Sequence, residues 1–172
     1  AFYVLGTPES VSPDAPGNHT NRVPVPTAGR AVDTSQPDRI VGTGSAASCT
    51  GQAVVNAVAL GGKIRFNCGP DPVTINMSST AKVFNNRPDV TLDGQGLITL
   101  NGMGNVRILY QNTCDPAQVW TTSRCDNQET PRLTVQNMHF TNGNSTGQVM
   151  DGGGGGAIFV RGGQFKIVNS VF

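Results

Sequence analysis

From Lys63 onward, apolar and polar residues alternate in short runs: 63–68, 73–77, 90–92, 97–100, 106–110, 133–135 and 165–168. A period of two marks strands with one face buried. Between the runs stand Gly69-Pro70-Asp71-Pro72, Asn85-Asn86-Arg87-Pro88-Asp89, Asp93-Gly94-Gln95-Gly96, Asn101-Gly102-Met103-Gly104 and Asn142-Gly143-Asn144, which are turn chemistry. Just upstream the period changes. Val54, Val55, Val58 and Ala59 recur at helical spacing, with Ser48 or Thr50 as N-cap and Gly61-Gly62 as the stop, so an amphipathic helix is expected at about 50–60.

Short strands suit either a sandwich of hairpins or a coiled solenoid, and internal repetition separates the two. Leu133–Phe140 aligns with Phe165–Phe172, sharing apolar residues at the first and third places, Asn at the fifth and Phe at the eighth. Stacked coils place like residues about 4.8 Å apart. Asn137 is therefore expected over Asn169 in a side-chain amide ladder. The fold expected is all-β, a right-handed parallel β-helix (solenoid) with an N-terminal capping helix, here the N-terminal part of a longer helix. The cap would cover the open edge of the first coil.

Residues 1–44 read differently. They hold six of the eleven prolines among Gly, Ser, Thr and Asn, too few donors and no hydrophobic period for a core of their own. A disordered tail and an extended strap along the body are equally compatible with that composition. The division expected is an extended segment at 1–44, the capping helix at 45–62 and coils at 63–172, with a long loop at 111–131. The chain opens on an apolar run beginning with Ala1, suited to a mature N-terminus, and stops at Phe172 inside a strand pattern. The remaining C-terminal β-helix, in the same or a cleaved chain, is thus an expected partner.

Composition narrows the function classes. The 22 glycines and only 13% charged residues fit a turn-rich chain. Twelve basic against eleven acidic side chains are scattered, so neither nucleic acid nor an anionic membrane surface is favoured as a partner. No run reaches the roughly 20 apolar residues of a membrane span. Cys49, Cys68, Cys114 and Cys125 allow three connectivities, or none if the thiols are free. Local pairing, Cys49 with Cys68 and Cys114 with Cys125, closes the shortest loops and would place the protein outside the cytoplasm, secreted or on the cell surface.

Cys49-Thr50-Gly51, Gly61–Cys68, Val90–Gly96, Gly154–Ile158 and Val168–Phe172 together resemble the start of bacterial secreted right-handed β-helix proteins of the pectate-lyase-like superfamily. Gly155-Gly156-Ala157-Ile158 and Asn169-Ser170-Val171-Phe172 also resemble polymorphic outer-membrane-protein repeats. The resemblance spans about residues 45–172 and implies polysaccharide lyases, glycoside hydrolases or non-catalytic adhesive proteins as kin. Lyases of that kind use calcium held by acidic residues with an Arg or Lys base; the candidates are Asp93, Asp126, Asp151 and Arg161. None stands in a recognisable family motif, and Asp93-Gly94 is more simply a turn and Asp151 a loop cap.

Elsewhere the chemistry is sparse. No cofactor is expected, apart from Ca2+ if the protein is a lyase. His19 and His139 have no cysteine at ligand spacing, so no metal site is expected. The glycine run 152–156 lacks the Gly-Lys-Ser/Thr of a phosphate loop. The 111–131 loop carries the one Trp, Trp120, with Arg124, and follows Tyr110. Trp120 suits stacking on sugar rings, or packing of the loop. Trp120, Tyr110, Arg124, Asp151 and Arg161 are the binding candidates. Three triplets, at Asn18, Asn76 and Asn144, match glycosylation acceptors. The function expected is binding, adhesive or structural, toward a polysaccharide or other cell-surface component. The alternative is a polysaccharide lyase or glycoside hydrolase with its site mostly beyond residue 172.

Overall fold

The computed structural model describes residues 24–148 and 154–172. The apolar run at Ala1, His19, the Asn18 triplet, Asp151 and part of the glycine run lie outside them. Thr50 caps α1 (Gly51–Leu60) by accepting the Ala53 amide at 3.2 Å, and Gly61, at φ 71°, ends it. The helix turns Val54, Ala57 and Val58 inward. Its three valines have modest helix propensity, so packing holds it.

The described residues form nine strands: β1 (Arg39–Val41), β2 (Gly62–Phe66), β3 (Val73–Asn76), β4 (Ala81–Val83), β5 (Asp89–Asn101), β6 (Leu109–Asn112), β7 (Arg132–Thr141), β8 (Ile158–Arg161) and β9 (Gln164–Val168). All their pairings are parallel. One sheet runs β1-β2-β5-β7-β9, with β3 joined to the second half of β5; the other runs β4-β6-β8. Core side chains align across the strands, as in Ile64, Leu92, Val135 and Ile167.

This is a small α/β arrangement of two parallel sheets and one helix, and it corrects the all-β right-handed parallel β-helix expected from the sequence. Two physical reasons account for the difference. Helix α1 is a layer of the single core, packed on β4, β1 and β2, rather than a lid on a finished stack. The repetition, moreover, joins only β7 to β9: β4, β6 and β8 read AKV, LYQN and IFVR, with no common pattern. Repetition in one strand pair fixes a parallel register, which any parallel sheet requires.

Several local expectations have counterparts. The Asn169 amide donates to Asn137 Oδ1 at 3.0 Å, both residues bending at left-handed φ of 46° and 52°. Cys49–Cys68 and Cys114–Cys125 are bonded. Asp93-Gly94-Gln95-Gly96 is not a turn between strands but an irregularity within β5, where register shifts between Asp93 and Ile98. Only glycine fits at 94, since a Cβ there would meet Asn137 O at 2.7 Å. Among the described residues no helix is long and apolar enough to cross a membrane.

A strap-walled cleft as candidate functional site

Residues 30–38 of the proline-rich segment lie along the outer face of the larger sheet. Gln136 clamps the Val32 backbone from both sides: its Oε1 accepts the Val32 amide at 2.8 Å and its Nε2 donates to the Val32 carbonyl at 3.0 Å. Thr34 donates its hydroxyl to Asp93 at 2.6 Å, and Lys166 reaches the Arg30 carbonyl at 2.7 Å. At the other end the Asp38 amide donates to the Lys63 carbonyl, and Asp38 Oδ2 accepts the Lys63 amide at 2.7 Å.

Asp93 is the hub of these contacts. Burial alone would push its carboxyl up, but hydrogen bonds from Thr34, Asn137, Gln136 and the Gln95 amide outweigh that and hold it below the usual carboxylate range. Ringed by donors, it has no lone pairs to turn toward a cation. Asp126 is engaged by Arg161 at 2.8 Å. It lies beside Cys114 and Cys125, whose sulfurs are bonded to each other and are not thiolates. Asp93 and Asp126, as they are engaged here, therefore do not offer the free oxygen ligands that the calcium site implied by the lyase resemblance needs.

Between the strap and the sheet runs a cleft of about 990 Å³. Its floor contains one rung of the sheet in register, Lys63, Thr91, Thr134 and Lys166 from β2, β5, β7 and β9. With strands about 4.8 Å apart, the row is about 14 Å long. Thr91 and Thr134 are each only 5% exposed, and both line the cleft. Pro26, Val32, Leu133 and Phe165 give the walls an apolar character. On one side Asp89 and Arg132 pair through two bonds of 2.7 and 2.9 Å, so their charges largely cancel.

The residues singled out from the sequence lie elsewhere. Tyr110 is buried, stacked on Phe159 at 5.5 Å between ring centres, and bonded to Asp115, which also takes the Gln118 amide. Arg107 lies over both rings. Trp120 is half-buried, and its carbonyl accepts the Asn85 amide. Arg124 is exposed, its carbonyl bonded to Gln128, and Arg161 is held by Asp126. None of these lines the cleft, and His139 is an exposed residue of β7. The cleft residues carried no motif; their signal was the outward half of the alternation, visible only once the register was known. Comparison with family models, curated proteins and solved structures finds no match, so the functional reading rests on geometry.

Proposed function

We propose that this chain belongs to an extracellular protein that binds a carbohydrate chain, without chemical turnover, in the cleft beneath the strap. Two intramolecular disulfides fit an oxidising, extracellular setting. The observation that carries the ligand class is the row of Lys63, Thr91, Thr134 and Lys166 along the floor of an elongated cleft with apolar walls. Threonine hydroxyls lining a cleft can both donate to and accept from the hydroxyls of a ligand. An extended chain with alternating hydroxyls and apolar ring faces supplies both kinds of contact, with Lys63 at one end of the row and Lys166, already bonded to the Arg30 carbonyl of the strap, at the other.

Catalysis is not part of this reading, because the two cleft carboxylates are already engaged, Asp89 with Arg132 and Asp38 with the Lys63 amide. The test is calorimetric titration with a panel of neutral and acidic oligosaccharides. At least one is expected to bind saturably, and Thr134→Val to weaken it about tenfold, the worth of one hydrogen bond. Binding that ignores Thr134→Val, or none across the panel, contradicts the reading.

A further inference from the structure

On the outer face of the larger sheet, burial departs from the usual alternation where the strap crosses it. Leu133 and Val135 of β7 face the core, yet the outward Thr134 and Gln136 are buried as well, at 5% and 1%. Farther along β7 the alternation returns, with Met138 and Phe140 buried and His139 exposed. The outward Thr91 and Asp93 of β5 repeat the feature, at 5% and 6%. Polar side chains are costly to keep under a permanent cover, whereas a face that is wetted whenever its cover lifts requires them. Arg65, Asp93 and Gln136 stand in register and continue the cleft floor two residues along the strands from Lys63, Thr91 and Thr134. The Nε of Arg65 is buried and, among the described residues, donates to nothing.

The strap itself is lightly held. Among the described residues, every hydrogen bond between 30–36 and the sheet passes through a side chain: Gln136 on Val32, Asp93 on Thr34 and Lys166 on the Arg30 carbonyl. Arg30, Ala31, Asp33, Ser35 and Gln36 are exposed, Val32 is half-buried, and Thr34 alone is buried. From Asp38 onward the attachment runs backbone to backbone, through the Lys63 carbonyl and then the pairing of β1 with β2. Gln36-Pro37 lies at the junction. Segments with few buried contacts open at lower free energy than the core. We infer that residues 30–36 form a latch that lifts from the sheet about Gln36-Pro37 while the rest stays folded, uncovering Arg65, Asp93 and Gln136 as a second row of the cleft floor. That the latch admits a carbohydrate rests on the reading above: a long chain bound mid-length between strap and sheet enters sideways, which requires the strap to lift.

Native-state hydrogen exchange by NMR reads the latch without any ligand. The Val32 amide, which donates to Gln136, is expected to exchange about a hundredfold or more faster than the amides of Leu92 and Val135, at a rate unchanged by urea below the unfolding transition. Thr34→Val, which removes the donor to Asp93, is expected to quicken it about tenfold, and Thr34→Ser to keep the native rate. A Val32 amide that opens only with the core, at the same rate and with the same urea dependence, overturns the inference, as does one indifferent to Thr34→Val. Stopped-flow association of the panel's tightest-binding oligosaccharide is expected to be about tenfold faster with Thr34→Val, since the open population rises by that factor. An unchanged association rate overturns the latch as the gate of the cleft. No binding across the panel contradicts the carbohydrate reading alone, and the exchange rates then decide the latch by themselves.

Discussion

At the scale of single residues, Asp93 decides whether the strap stays on the sheet. It accepts four donors, and hydrogen bonds to a charged group contribute about 1.5–3 kcal/mol each when a partner is lost. Asp93→Asn turns one acceptor into a donor facing other donors. The expected cost is about 2 kcal/mol, or about 4–8 °C in Tm for a chain of this size, with faster hydrogen exchange at the Val32 amide. The sign of the pH dependence follows from the lowered pKa of Asp93. Its contribution is present above the unfolded carboxylate value of about 3.9 and is lost as pH falls through the lower folded value. The stability gap between the native protein and Asp93→Asn is therefore expected to close below about pH 4, measured by denaturant melts across the acid range. A gap independent of pH would contradict the hub.

At the scale of elements, the helix is an integral layer, and its buried valines should behave as core. Val58, fully buried, is expected to cost about 2 kcal/mol on Val58→Ala, close to the cost in sheet positions, as read by urea denaturation. A lid lying loosely on the stack would lose far less. The same elements mark what the sequence made legible. Helical spacing with Thr50 and Gly61 placed α1 nearly to the residue, and alternation located β2, β3, β7 and β9 to within a few positions. Three strands were missed. Arg39–Val41, Ala81–Val83 and Ile158–Arg161 are three or four residues long, too short for a period to emerge, and they are held by neighbours distant in sequence. The 106–110 run was displaced because Arg107, buried over Tyr110 and Phe159, breaks the pattern of what a core position looks like. The site was less legible still. Lys63, Thr91, Thr134 and Lys166 are up to 103 residues apart, and only strand register brings them into one row.

At the scale of the whole molecule, the disulfides tie loops to a body whose contacts are mostly long-range. Cys49–Cys68 closes a separation of 19 residues around α1 and joins the start of the helix to the end of β2. In the chain-entropy model, such a loop contributes about 3 kcal/mol. Cys49→Ser with Cys68→Ser is accordingly expected to lower Tm by about 6–12 °C without loss of the parallel register. Both effects can be read by calorimetry and hydrogen exchange. The cleft, the strap and the row of threonines all depend on that register being kept. The most direct test of their joint role is a methyl NMR titration with the tightest-binding oligosaccharide. The predicted result is shifts concentrated at Val32, Thr91, Leu133 and Thr134; shifts confined to the 111–131 loop around Trp120, with the threonine methyls unmoved, would contradict it.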